Sequence, residues 1–193
     1  MLKHLEINGF KSFPKKTSLD FGAPITAIVG PNGSGKSNVA EAVKFVLGEQ
    51  SPSSMRSKKG EDLIWNGSKA APKMNRAGVS ITFDNSKKIF RLESDMAPDL
   101  DLSFDEITIG REVYRDGVNR YLINGSQVRL RDIIELLASV NIGASGHHII
   151  SQGESDRILN SSAKDRRVMI EEALGLNIYH WKIRESERKL EKT

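Results

Sequence analysis

The stretch Gly30-Pro31-Asn32-Gly33-Ser34-Gly35-Lys36-Ser37 decides how the rest of this chain is read. A glycine, four residues, then Gly-Lys-Ser is the spacing of a loop that wraps phosphate. The pattern carries meaning only between a strand and a helix, and the flanks supply both. Ile25-Thr26-Ala27-Ile28-Val29 is a short apolar run suited to a buried strand. From Asn38 to Leu47 apolar residues fall at 39, 43, 46 and 47, which is helical spacing, and Gly48 can end that helix. Glycines at 30, 33 and 35 let successive N–H groups turn inward toward phosphate oxygens, and the positive end of the helix adds to that field. Lys36 is placed to reach the β- and γ-phosphates, and the Ser37 hydroxyl to ligate Mg²⁺. No Asn-Lys-x-Asp run for reading guanine is present, so ATP is the expected nucleotide.

The chain has 193 residues, enough to bury a real core, with 28% charged residues and a mean hydropathy of -0.40. No apolar run approaches a membrane span, and Met1-Leu-Lys-His-Leu-Glu-Ile7 lacks the apolar block of a signal peptide. Without cysteine there are no disulfides or thiolate metal sites. These features point to a cytoplasmic protein. A net charge of +4 permits a nucleic-acid partner without demanding one.

Leu2, Leu5 and Ile7 alternate with polar residues as in a half-buried strand, and 17–21 reads as its hairpin partner. The stretch 49–78 reads as an exposed connection around one short strand at 63–65. Further strands are expected at 79–83, 88–93, 106–114 and 120–123, with hairpin turns at Asp116-Gly117 and Asn124-Gly125. From Leu130 the pattern becomes helical, with Ile133, Ile134, Leu137 and Val140 on one face. Ile149-Ile150 suggests a last buried strand. The final thirty or so residues read as a charge-laced helix, with Leu176, Ile183 and Leu190 seven apart, a weak coiled-coil pattern that fits a helix leaving the domain.

A phosphate-loop ATPase also needs an apolar strand ending in Asp, often followed by a catalytic Glu. The one candidate is Val79-Ser-Ile-Thr-Phe-Asp84, but its apolar residues alternate and Asn85 follows, so it reads as the end of an edge strand. No Leu-Ser-Gly-Gly-like signature occurs; Gly143-Ala-Ser-Gly146 is a loop. The chain therefore reads as able to hold nucleotide but not to hydrolyse it alone.

Several motifs, in order, resemble the N-terminal half of the ATPase head of SMC (structural maintenance of chromosomes) proteins of bacterial and archaeal type. They are Gly9-Phe-Lys-Ser-Phe13, the loop at 30–37, Phe45-Val-Leu-Gly-Glu-Gln50, Met55-Arg56 with Glu61-Asp-Leu-Ile64, Tyr121-Leu-Ile-Asn124 with Val128-Arg-Leu-Arg-Asp-Ile133, Ile149-Ile-Ser-Gln-Gly153 and Glu171-Glu-Ala-Leu-Gly175. The resemblance spans essentially the whole chain, with 84–105 the least similar part. It implies an α/β fold: the N-terminal lobe of an ABC-type phosphate-loop ATPase head, with a mixed or antiparallel sheet around the loop helix and an outgoing coiled-coil helix. Residues 1–162 would form the lobe, and 163–193 the helical neck and the start of the coiled coil.

The resemblance also accounts for the missing acids. In that family the C-terminal half of the head arrives after a long coiled coil and carries the acidic strand, catalytic Glu and signature. Two heads then sandwich two ATP molecules. By this resemblance Gln152 joins Ser37 on Mg²⁺, Arg56 reaches the phosphates, and Pro31, Asn32, Gly33, Ser34, Gly35, Lys36, Ser37 and Asn38 line the nucleotide. Lys11, Ser12 and Asp62 would flank its base and ribose. Lys59, Arg129 and Arg131, with Lys58 nearby, match positions implicated in binding duplex DNA, where phosphate contacts require only charge. Implied partners are the protein's own C-terminal half-head, a second head in a homodimer, a kleisin with its accessory subunits, and DNA, with no membrane, on the nucleoid in the cytoplasm.

His147-His148 lacks the spacing and companions of a metal site, and Trp65 and Trp181 read as packing residues. Three other readings compete with the chromosomal one. The head of an SMC-like recombination or repair ATPase shares the loop but fits the Gly-Phe-Lys-Ser-Phe and Leu-Gly-Glu-Gln segments less well. A binding module with structural nucleotide is the second. A small-molecule kinase is the third, and it would need a lid and an acceptor site that the sequence does not offer.

Overall fold

Alternation of apolar and polar residues builds a six-stranded sheet in the computed structural model, with strand order β2-β1-β3-β4-β5-β6. The structure describes residues 1–51, 53–69, 71–92, 100–140, 142, 162–173 and 176, with isolated positions 183, 186, 187 and 190. The strands are β1 (Leu2–Asn8), β2 (Thr17–Asp20), β3 (Arg76–Asp84), β4 (Glu106–Tyr114), β5 (Asn119–Ile123) and β6 (Ser126–Val128). Every pairing is antiparallel. The described helices are α1 (Lys36–Val46), α2 (Leu130–Ala138) and α3 (Ala163–Ala173), with short 3₁₀ turns at Ser53–Met55 and Gly60–Leu63.

Register places one apolar row across five strands. Leu19 pairs with Leu5, Leu5 with Ile81, Ile81 with Ile109 and Ile109 with Ile123. Four of these five are buried, and the fifth, Leu19, packs against them. A one-residue slip would move a whole strand's apolar set to the solvent face, so this row fixes the register. Over the same face lies α1, burying Val39, Ala42, Phe45 and Val46, and α2 adds Ile133, Leu136 and Leu137. Burial of side chains this size is worth about 1.5–3 kcal/mol each relative to exposure, which outweighs helix propensity in fixing α1.

The expected hairpin turns form. Asn124 and Gly125 take φ 49 and 83, the paired positive values of a tight turn between β5 and β6. Gly117 takes φ 86 in the turn between β4 and β5. Three local expectations are corrected. Residues 25–29 form no strand and are exposed: Ile25 is 88% and Val29 87% accessible, because no described strand lies beside them to pair with. Of the run 88–93, the described residues 88–92 are not in a strand either. Lys88 turns the chain at φ 51, its N–H bonding back to Asn85 O, while Phe90 is buried against the Phe83 ring. At 63–65 the chain leaves a 3₁₀ turn, and only Ile64 makes a single bridge, to Phe10.

Nor is β3 an edge strand: it lies between β1 and β4. Its last residue, Asp84, accepts the Ser86 N–H, and the next, Asn85, is fully buried, donating to Leu102 O and Phe104 O. Asp84-Asn85 thus organises the following loop. The strand expected at 149–150, His147-His148 and Trp181 lie outside the described residues. Among the described residues, no helix is long and apolar enough to cross a membrane.

Candidate functional site

At the start of α1 the glycine loop turns into the helix through Gly35, whose φ of 94 is left-handed. A Cβ at this position would also sit 2.8 Å from Ser12 Oγ, so glycine is required both by conformation and by close approach. Gly35 is the N-cap, with no side-chain cap hydrogen bond, and the first turn holds no acidic residue. The amides at this end are therefore left to an anion, as the helix dipole favours. Lys36 folds its ammonium back over the loop, donating to Gly30 O at 2.6 Å and Pro31 O at 2.7 Å. That places the cation at the loop mouth. Ser37 is exposed on the first turn.

The Gly9-Phe10-Lys11-Ser12-Phe13 segment is held against this helix at two points. Asn38 Nδ2 donates to Ser12 Oγ at 2.7 Å, and the Lys11 ammonium pairs with Glu41 and donates to Met55 O. Gly9 has φ 67, and a Cβ there would meet Arg76 O at 2.5 Å, which explains the glycine that opens the segment. Arg56 joins from the other side, with Nε 3.5 Å from Glu41 Oε1 and a side chain 60% exposed. So Lys11, Ser12, Asn38 and Arg56, from three separate segments, meet along the first two turns of α1. Glu41, at the centre of this group and buried, was not among the expected site residues. Its signal was available: an acid on the same helical face as Ser37, one turn on.

Asp62 is occupied locally. Its carboxylate accepts the Lys59 and Lys58 N–H groups at 2.8 and 3.0 Å, and these bonds hold it below the ordinary carboxylate range. Lys59 is exposed, with Glu61 at 3.8 Å. Arg129 precedes α2, and its N–H donates to Asp132, the carboxylate that caps the helix. Arg131 is 3.6 Å from the same carboxylate and partly exposed. Arg129 and Arg131 thus share the start of α2 while Lys59 caps the separate 3₁₀ turn at Gly60–Leu63, and no hydrogen bond or ion pair among the described residues joins Lys59 to either arginine. Gln152 lies outside the described residues. Among the described residues, no cluster of His, Asp or Glu could by itself hold a metal ion. The Ser37 hydroxyl fits a hard cation as one oxygen donor, with the remaining ligands to come from phosphate and water.

A second unexpected residue is Arg111, only 4% exposed under the C-terminal end of α1. Its Nη1 donates to Phe45 O at 2.9 Å and Glu49 O at 2.6 Å, and Nε and Nη2 donate to Asn119 Oδ1. The guanidinium lies 4.2 Å from the Phe45 ring centroid and 5.2 Å from that of Tyr121. Burial lowers its pKa, and the carbonyl end of the helix offsets that cost. Through Arg111 the Phe45–Gln50 segment and Tyr121 become one contact, with Gln50 Nε2 also 3.3 Å from the Tyr121 hydroxyl.

Residues 1–158 match the RecF/RecN/SMC N terminal domain. The chain is 46% identical over 192 residues to the chromosome partition protein Smc of Clostridium kluyveri, and 43% identical over 192 residues to that of Bacillus subtilis. It spans 15% of the length of each of these relatives. Among solved structures, one from work on ATP-driven dimerization and DNA stimulated activation of SMC ATPases superposes with a TM-score of 0.76 at 36% identity, covering 89% of this chain and 98% of that one. The Smc head domain of Pyrococcus furiosus, bound to the C-terminal domain of ScpA, gives a TM-score of 0.80 at 35% identity, covering 99% of this chain and 46% of that one. With the family model matching residues 1–158 and the fold shared with SMC heads over 89–99% of the chain, this chain belongs to the RecF/RecN/SMC family, as the N-terminal lobe of an SMC-type ATPase head.

Proposed function

We propose that this lobe binds the phosphates of ATP at the start of α1 and forms one half of an ATPase site that organises chromosomal DNA. The observation that carries the reading is the uncapped helix N-terminus behind Gly35, with the Lys36 ammonium at the loop mouth. Residues Pro31–Asn38 line the phosphates, Lys11 and Ser12 flank the base and ribose, and Asp62 borders them. Ser37 and Gln152 hold Mg²⁺, which when bound neutralises charge developing between the β- and γ-phosphates. The Arg56 guanidinium meets the γ-phosphate from outside the loop, where positive charge favours the transition state.

The exposed apolar segment 25–29 beside the loop suits a sheet completed by the C-terminal half-head. On the outgoing helix Ile183 and Leu190 are exposed, as the seam of a neck awaiting its return strand would be. In this reading 1–162 is the lobe and 163–193 the neck. Two ATP-bound heads of a homodimer then close on each other and hydrolysis releases them. The related Pyrococcus head is bound to ScpA, which supports a kleisin-type partner for this chain too. Lys59, Arg129 and Arg131 contact duplex DNA through its phosphates without reading sequence. The location is the nucleoid, in the cytoplasm. A head of an SMC-like repair ATPase is the second reading; the 46% identity to a chromosome partition protein favours the first.

The test is complementation. ATP binding and hydrolysis are measured for this lobe alone, then after addition of the C-terminal half-head. Turnover only in the mixture, lost with Lys36→Ala, is the expected result. Turnover by the lobe alone would sink the half-site reading.

A further inference from the structure

We propose that Glu41 is a positioning residue for the ATPase reaction, aiming the Arg56 guanidinium at the nucleotide from the buried side of α1. The proposal rests on the reading of Arg56 given above. Glu41 is 6% exposed and sits one helical turn after Ser37. Both of its oxygens face cations: Oε2 meets the Lys11 ammonium, and Oε1 lies 3.5 Å from Arg56 Nε. The same Lys11 ammonium also binds Met55 O, next to Arg56 in the chain. One carboxylate therefore fixes Arg56 twice, through its side chain and through the backbone before it.

Backbone geometry at both partners agrees. Lys11 has φ 47 and Arg56 φ 48, left-handed values that non-glycine residues adopt only where the surroundings enforce them. Stability alone does not account for the Arg56 contact. At 3.5 Å, with the Arg56 side chain 60% exposed to screening solvent, it is a loose contact that contributes little to folding even though Glu41 itself is buried. What it does determine is direction. With Nε turned to Glu41, the two Nη groups make no hydrogen bond among the described residues. They remain as a planar fork suited to a bidentate bond with a phosphoryl group.

Steady-state ATP turnover of the full-length protein carrying this lobe tests the idea, with Glu41→Gln, Arg56→Ala and the double variant compared. Glu41→Gln keeps the shape of the side chain and removes its charge. Misaiming a group by about 1 Å can cost on the order of 100-fold, so kcat is expected to fall roughly 10- to 100-fold. KM should stay within about threefold, as for loss of a transition-state contact. The double variant should be no slower than Arg56→Ala, because both changes remove the same interaction. A kcat for Glu41→Gln within about twofold of wild type, or multiplicative losses in the double variant, would overturn the proposal. If Arg56→Ala leaves kcat unchanged, the reading of Arg56 falls and takes this proposal with it. An effect of Arg56→Ala beside a normal Glu41→Gln rejects Glu41 alone. Should Glu41→Gln unfold because Lys11 is left unpaired, Glu41→Gln with Lys11→Met removes that ammonium. Comparing this pair of changes with and without Arg56→Ala then measures the same coupling, and multiplicative losses there would again overturn the proposal.

Discussion

At the scale of single residues, the most consequential side chain outside the glycine loop is Arg111. It occupies an inward-facing position of β4, between Ile109 and Val113, where Ile or Val would be the ordinary choice. A guanidinium there replaces the missing hydrogen-bond partners at the end of α1, and so holds the helix that begins with the phosphate loop. Arg111→Met keeps most of the volume and removes the charged donor, leaving Phe45 O only the Gly48 N–H at 3.3 Å and Glu49 O only the Gln50 amide at 3.4 Å. Hydrogen bonds from a charged donor contribute about 1.5–3 kcal/mol each, so a loss of about 2–4 kcal/mol of folding stability is expected. Arg111→Lys should rescue little, since one ammonium cannot span Phe45 O, Glu49 O and Asn119 Oδ1 as the planar fork does. Urea denaturation of the three proteins checks this; an Arg111→Met midpoint equal to that of wild type would refute it. The strand's parity already placed Arg111 inward. Its partners were hidden, because Phe45 and Glu49 are more than sixty residues away in the chain and nothing in their spacing points to β4.

At the scale of elements, periodicity was a sound guide wherever a segment buries one face within this chain. Strands β1, β3, β4 and β5, and helices α1 and α2, all pack onto one core, so their patterns read true. The run 25–29 has a strand's composition, yet stands exposed and unpaired. A buried strand is buried by its neighbours, and composition cannot say on which polypeptide segment they lie. The described part of the 88–93 run, 88–92, departs from a strand for a local reason: the Asn85 side chain accepts the Phe90 N–H, and a turn at Lys88 replaces the ladder. If 25–29 awaits partner strands, Ile25→Thr with Val29→Thr should leave the isolated lobe's stability within about 0.5 kcal/mol, as for other exposed sites. The same pair should impair assembly with the C-terminal half-head. Hydrogen exchange on 25–29 would give a second measure, fast in the lobe and slow in the assembled head. A large loss in the lobe alone would mean that these side chains serve the local core.

At the scale of the whole molecule, the order of motifs along the chain carried the identity, and the sheet explains why they co-occur. Asn38 binds Ser12, Glu41 draws in Lys11 and Arg56, and Arg111 joins Phe45, Glu49 and Tyr121, so α1 serves as the common anchor of segments far apart in sequence. Charge does not organise in the same way. The net +4 is spread over many elements, and the exposed Lys59 lies on a different element from Arg129 and Arg131, which share the start of α2. A phosphate backbone can still gather them, because each contact acts independently through counterion release. Replacing all three by alanine should therefore weaken DNA binding by assembled, ATP-bound heads. The log–log salt dependence should also become shallower, by up to about 2.7, at about 0.9 per phosphate contact. The three should not contribute equally. Arg131 lies 3.6 Å from the buried Asp132 carboxylate, which already takes part of its field, whereas the Lys59 side chain is 75% exposed and its carboxylate neighbours, Glu61 at 3.8 Å and Asp62, are themselves exposed to solvent. Lys59→Ala is expected to cost more affinity than Arg131→Ala at about 0.05 M salt, and the gap should narrow by about 0.2 M as screening removes the difference. Equal single-site losses at low salt would show that Asp132 does not restrain Arg131, and an unchanged slope in the triple variant would place the DNA elsewhere on the head.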